Sequence, residues 1–346
     1  MNITPNHLPP DKQFYRGGLI DLSDFTLVQT QADNHWDAFI ARSPERSIFM
    51  CSTFLNACGH PHALYWCLKK KQKVAAVAIS LDSNTLRPTL ETPVVYNGIA
   101  LAPSAHNKNL AQIRSARFSV LCFLCNALIS EFPDLKLRLP PQIDDIRPFS
   151  WHNYDVGYQK VKIGIQYTSI LNICPQVFSV DNGAIGMSAE MSASRRQDIR
   201  YALKKEYKTT ECYDIDIFRK LLRETFLRQN KVQNSRENEQ YLNITKSLHA
   251  AGLLRAFNCG LPESGIEAIA LFGVIGNRAV YLYGAGRQER RKSYAGTAVL
   301  QNAFERLAAD GICYVDLEGV NSPSRGYFKL SFGGSLTPYF TIESES

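Results

Sequence analysis

Apolar and polar positions change period along the chain, and each change predicts an element. Residues 63–68 and 74–79 are short apolar runs on either side of the lysine-rich stretch 69–73. They are expected to form two strands joined by a solvated hairpin tip. Residues 36–42 and 52–57 have the spacing of short helices, the second with Ser52 or Thr53 as its N-cap. Residues 111–132 present a strongly apolar face at helical spacing, and residues 136–139 form a strand that stops at Pro140-Pro141. The stretch 141–167 is loop-like, and a domain boundary is expected near residue 165.

The second half repeats the order of hairpin, helix and strand. A strand is expected at 166–173, a basic helix at 192–207, and amphipathic helices at 216–230 and 238–251. Strands follow at 253–259, 267–275 and 279–285, the last two joined by a turn at Gly276-Asn277. Residues 293–310 then read as a helix ended by Gly311, a good C-cap, with a strand at 312–317. This order demands an α/β fold of mixed sheets with helices on their faces. No tandem repeat is visible, so the expectation is a duplicated fold of diverged sequence, with domains 1–165 and 166–346.

At 346 residues the chain is long enough for two such domains. Its net charge of +7 suits an anionic partner such as tRNA, a nucleotide-sugar or CoA, or simply a mildly basic protein. Nine cysteines lie mostly among apolar neighbours and read as buried free thiols of a reducing compartment. Residues 1–18 are polar, unlike a signal peptide, and the longest apolar run, 118–129, is about half of what a bilayer needs. A cytoplasmic location without a transmembrane segment is expected. Cys58-Gly59-His60-Pro61-His62, near Cys51 and Cys67, lacks the paired spacings of a zinc site, so no metal is expected.

Five motifs fall in a fixed order. They are Ser192-x-x-Arg195-Arg196, Thr225-Phe226-Leu227-Arg228, Tyr281-Leu282-Tyr283-Gly284-Ala285, Asp316-Leu317-Glu318-Gly319 and Gly326-Tyr327-Phe328-Lys329. Their order and spacing resemble the second half of the FemABX-like acyl- and aminoacyltransferases, double-domain relatives of the GNAT acetyltransferases. The resemblance covers roughly residues 166–340, and more weakly Ser47 to Ser52 and Val94 to Gly98.

The resemblance implies tandem GNAT-like acyltransferase domains, the C-terminal one carrying the donor site. It implies transfer of an acyl or aminoacyl group to an amine of a cell-envelope, glycan or peptide precursor, including a nucleotide-linked sugar. Acyl-CoA or aminoacyl-tRNA would be the co-substrate, with no tightly bound cofactor. Phe328-Lys329 resembles a functional pair of the family, in which a cation beside the reacting carbonyl stabilises the oxyanion. Tyr281 or Tyr283 would face the acceptor or protonate the leaving group. Alternating tyrosines on a strand are equally often packing residues. Arg195, Arg196 and Arg228 resemble phosphate-facing positions, against the alternative of a solvated helix face.

In GNAT enzymes a loop and helix N-terminus hold the pyrophosphate. The corresponding place carries Arg290, Arg291 and Lys292 before Ser293. The usual Q/R-x-x-G-x-G/A spacing is not met, because counting from Arg291 puts Tyr294 where the first glycine should stand. Asp316 and Glu318 are candidates for the base that deprotonates the amine. After Gly98 no carboxylate stands where family members often carry an Asp. The competing function is a non-catalytic nucleotide- or RNA-binding protein on the same fold.

Overall fold

The computed structural model describes residues 12–15, 18–154, 161–174, 189–228, 235–287 and 294–344. Its contacts divide the chain into two compact units, Met1–Gln166 with Pro338–Ser346, and Tyr167–Thr337. The last strand in sequence thus starts in the second unit and passes into the first at Pro338.

The first unit begins with the antiparallel pair β1 (Lys12–Tyr15) and β2 (Gly18–Asp21). Next come β3 (Phe25–Gln29), α1 (Asn34–Arg42), a short 3₁₀ turn Ile48–Met50, and α2 (Ser52–Ala57). The hairpin β4 (His62–Lys69) and β5 (Gln72–Ser80) follows, then β6 (Gly98–Leu101), α3 (Leu110–Glu131), β7 (Lys136–Arg138) and α4 (Arg147–Ser150). Strands β3-β4-β5-β6 form one antiparallel sheet. The hairpin tip is only two residues, Lys70 and Lys71, both at positive φ (48° and 67°), the backbone that matches strand twist in a tight hairpin.

The N-cap of α2 is Cys51, whose Sγ accepts from the Phe54 amide at 3.4 Å, in place of Ser52 or Thr53. Ser52 is instead the first helical residue, with its amide donated to Asp37 Oδ1 at 2.8 Å. By length and composition α3 is apolar enough to cross a membrane. Here its Val120, Leu121, Cys122, Leu124, Cys125 and Leu128 are buried in the core of the first unit with Val77 and Ile99 of the sheet.

The second unit starts within β8 (Val161–Asn172) and continues through α5 (Ala193–Lys204), β9 (Lys208–Glu211), α6 (Ile215–Arg228) and α7 (Ser235–Ala250). The long meander β10 (Leu254–Leu261), β11 (Gly265–Ile275) and β12 (Arg278–Gly286) leads to α8 (Ala295–Ala309), β13 (Tyr314–Asp316) and α9 (Pro323–Leu330). The chain closes with β14 (Ser335–Ser344), whose Thr341–Glu343 segment pairs antiparallel with β7. Strand order in this unit is β8-β13-β12-β11-β10-β9, antiparallel except for the parallel pair β12–β13.

Helices α5 and α8 cover one face, where Ile199, Ala202, Val299, Phe304 and Leu307 pack with Phe257 and Phe272. Helices α6 and α7 pack on β12 and β10. Sheets and helices thus follow the predicted mixed α/β pattern, with β1, β2, β3, β6, β9, β14, α4 and α9 added by the structure.

Six cysteines (51, 58, 67, 122, 125 and 259) are buried thiols, Cys174 and Cys313 are half-buried, and Cys212 is exposed. Cys58 Sγ lies 3.0 Å from His62 Nε2. Burial raises the thiol pKa and lowers that of the imidazole to about 4, so the two form a neutral pair. Among the described residues no group of three or more His, Cys, Asp or Glu is arranged to hold a metal ion.

Candidate active site

Parallel strands β12 and β13 pair only over Arg278–Val280 and Tyr314–Asp316. Beyond that β12 runs on to Gly286, while the chain after β13 turns toward β8, with the Leu317 amide donated to Ser169 O at 2.9 Å. The candidate site lies where the two strands part.

A bulge sits at the same place. Leu271 pairs with Tyr283 and Phe272 with Tyr281, so Leu282 is an extra residue on β12. Residues two apart on a regular strand share a face, but the inserted residue separates them. Tyr281 stacks on Phe272 (5.3 Å) within the core beneath α8, whereas Tyr283 packs against Phe218 of α6 (5.8 Å) and Tyr241 of α7 (5.0 Å). The two tyrosines of one motif therefore serve opposite faces. Gly284 is required by the same turn, because a Cβ there would collide with the Tyr281 phenol.

A cavity of about 210 Å³ opens beside this segment. Tyr281 and Gly284–Gly286 of β12, Arg287 just after it, Glu267–Ile269 of β11, Gly296 and Val299 of α8, and Phe328 of α9 line it. Burial pushes the Tyr281 phenol pKa strongly upward, so it stays protonated at any working pH. Thr225 of α6 holds the end of β12 by accepting from the Gly286 amide at 3.1 Å.

Lys329 is on α9, a helix that the strand and helix periodicity did not predict. Its Nζ sits 5.2 Å from the Tyr281 ring centroid and donates to the Glu318 carbonyl at 2.9 Å. That carbonyl is presented by two successive positive-φ residues, Glu318 (55°) and Gly319 (50°). A non-glycine residue in this region is strained, and such strain collects at functional sites. Desolvation lowers the Lys329 pKa, opposed by the charges of Glu318 and Asp316. Asp316 is turned inward, accepting from the Thr168 hydroxyl and from the Glu318 amide at 2.8 Å.

Arg195 is buried. Its guanidinium donates to Ser331 Oγ (2.9 Å), Asp198 Oδ2 (3.0 Å) and the Thr297 hydroxyl, and lies 4.5 Å and 4.8 Å from the Phe328 and Phe332 ring centroids. In this arrangement it ties α5, α8 and α9 together behind Phe328, and desolvation lowers its pKa. Arg196 donates to the Ala189 carbonyl at 3.1 Å. Arg228 is the last residue of α6. Arg290, Arg291, Lys292 and Ser293 lie outside the described residues.

The structure thus brings Lys329, Tyr281, Phe328, Glu318 and Asp316 together and sends Tyr283 to the other face. It adds Glu267, only 2% exposed, which accepts from Ser264 Oγ (2.5 Å) and Tyr207 Oη (3.2 Å) in the cavity wall. The available signal was a lone carboxylate in an apolar strand.

No family model matches the chain, and no curated protein matches its sequence. Solved structures do match. FemX superposes over 91% of this chain and 96% of its own with a TM-score of 0.63 at 13% identity. The C-terminal domain of a putative lysylphosphatidylglycerol synthetase from Agrobacterium fabrum gives 0.53, over 90% of both chains at 9% identity. A tandem GNAT protein from the clavulanic acid biosynthesis pathway gives 0.52, over 93% of this chain and 98% of its own at 12% identity. The chain therefore has a tandem GNAT-like fold of the FemX type.

Proposed function

We propose that this chain transfers an acyl or aminoacyl group from acyl-CoA or aminoacyl-tRNA to an amine, its acceptor being part of a glycan, a peptide or a nucleotide-linked sugar. The observation that carries the proposal is the buried Lys329 ammonium at the parting of β12 and β13, beside a cavity lined by Tyr281 and Phe328.

The acyl group enters the cavity as an ester or thioester. The free amine attacks the carbonyl carbon, a C–N bond forms, and the carbonyl electron pair moves to oxygen. Lys329 faces that oxyanion from a water-poor site, where a fixed charge is most effective. Collapse breaks the C–O or C–S bond, and the departing oxygen or sulfur takes the Tyr281 proton, which the proton lost by the amine replaces so that the phenol is neutral again. Glu318 first takes the proton that the amine must lose. Asp316 fixes the Glu318 turn, and Arg195 fixes the helix that carries Lys329. Arg290, Arg291, Lys292 and Ser293, with Arg196 and Arg228, are the proposed donor-phosphate contacts.

Two of the similar structures favour this class, the tandem GNAT protein of the clavulanic acid pathway, whose structure is the form without AcCoA, and the C-terminal domain of a putative lysylphosphatidylglycerol synthetase. The deciding experiment offers labelled acetyl-CoA and a mixture of charged tRNAs to wild-type protein and to Lys329→Met, with candidate amines. Transfer from either donor that collapses in the variant supports the proposal. Tight donor binding with no transfer to any amine would support a binding protein instead.

A further inference from the structure

The cavity of about 210 Å³ takes an acyl group and a slender arm, and is below the roughly 300–1,000 Å³ of sites that enclose a drug-sized ligand. The nucleotide end of either donor must therefore lie outside it. Resting on the donor reading above, we infer that Tyr201 and Tyr294, with the Lys204 and Lys205 ammonium groups, form a platform for an adenosine phosphate. That group is common to CoA and to the 3′ end of tRNA.

Tyr294 immediately precedes α8, the helix that gives Gly296 and Val299 to the cavity wall, and it is an N-cap without a side-chain capping bond. The Tyr294 ring lies 5.4 Å from the Tyr201 ring at an interplanar angle of 35°, and Lys205 Nζ is 5.1 Å from the Tyr294 centroid.

Tyr201 is 42% exposed, on the side of α5 opposite the buried Ile199 and Ala202. Gln197, one turn before it, donates from Nε2 to the Tyr201 hydroxyl at 3.1 Å and fixes the ring edge. Gln197, Tyr201, Lys204 and Lys205 are spaced three and four residues apart, so they form one exposed stripe of the helix. An aromatic face flanked by ammonium groups offers stacking to a base and charge to its phosphate, and stacking tolerates any base. The phosphates of CoA or of a CCA end supply the anion.

The test titrates adenosine 3′,5′-bisphosphate, 4′-phosphopantetheine, CoA, and an RNA minihelix ending in CCA or lacking its last adenosine. Wild type, Tyr201→Ala, Tyr201→Trp and Lys205→Gln are compared, with melting curves alongside. Tyr201→Ala is expected to weaken the bisphosphate by about 5- to 150-fold and leave phosphopantetheine unchanged, with Trp binding at least as well as Tyr. Lys205→Gln leaves the ring pair in place and is expected to give a smaller loss, greatest at low salt. The donor is whichever of CoA or the CCA minihelix follows the bisphosphate.

Equal bisphosphate binding by wild type and Tyr201→Ala, or a parallel loss of phosphopantetheine, overturns the platform. Failure of wild type to bind CoA, phosphopantetheine and the minihelix removes the donor cavity instead, and the bisphosphate titration then decides the platform alone.

Discussion

Each unit runs from a hairpin through a third strand into a long helix, β4-β5-β6-α3 in the first and β10-β11-β12-α8 in the second, yet the two helix starts differ. At α3 the chain caps itself. The Asn109 side chain accepts from the Gln112 amide, the Gln112 side chain accepts from the Asn109 amide, and both bonds are 3.0 Å. The end of β6 is occupied too: buried Glu45 accepts from the Leu101 amide (2.8 Å) and from Arg117 of α3 (2.6 Å).

At α8 there is no side-chain cap, the strand before it ends in Gly284-Ala285-Gly286, and a cavity lies beside it. One scaffold therefore gives two outcomes. Where the chain supplies its own carboxylate and cap, the helix start is structural; where it leaves small residues beside a cavity, the proposed function has a ligand enter.

The sharpest way to break this comparison is Lys329→Met. Turnover is expected to fall by on the order of 10² or more in single-turnover kinetics, with Lys329→Arg rescuing only part of it. The melting temperature should hold or rise. The folded-state pKa of Lys329 is lowered, so between it and the ordinary value of 10.5 the unfolded chain binds more protons, and wild-type stability rises with pH in that window. The variant should lose that rise. Unchanged turnover would end the assignment of chemistry to the second unit.

Arg195→Met should cost about 2–4 kcal/mol in chemical denaturation, since Asp198, Thr297 and Ser331 lose a shared buried partner. It should also slow transfer by loosening α9. A variant that is destabilised but fully active would show that Arg195 only supports the fold.

In the first unit the burial-lowered pKa of His62, about 4, predicts an acid weakness. Between about pH 6.5 and 4 the unfolded chain binds the extra proton, so stability falls as pH drops, by on the order of 2 kcal/mol. His62→Gln should flatten melting temperature against pH over that window. Smallest is Asn109→Ala, expected to cost about 1 kcal/mol through loss of the capping box and to leave transfer untouched. A drop in turnover without a drop in stability would mean that the first unit's helix start also meets substrate.

Much of the scaffold was legible because local periodicity carries it. Two apolar runs around a lysine tip specify β4–β5, and a long apolar face specifies α3. Gly311, at a φ of 84°, ends α8 as its position promised. Lys329 was legible only through its motif and its order among the others. Several features were not legible, each for a definite reason. A single inserted residue at Leu282 sends Tyr281 and Tyr283 to different faces, and a period-two pattern has no term for a bulge.

Arg195 reads as one more cation on a basic helix. Its burial depends on Thr297, Ser331 and Phe328, which arrive from distant parts of the chain. Cys51 became the cap of α2 because Asp37 of another helix engages Ser52. By itself, then, the sequence determined the longer elements and the class of fold, since backbone hydrogen bonding and apolar spacing are local. Only the tertiary structure decided which charged groups are buried and which tyrosine faces the cavity, because desolvation and close packing depend on neighbours that the chain brings together only when folded.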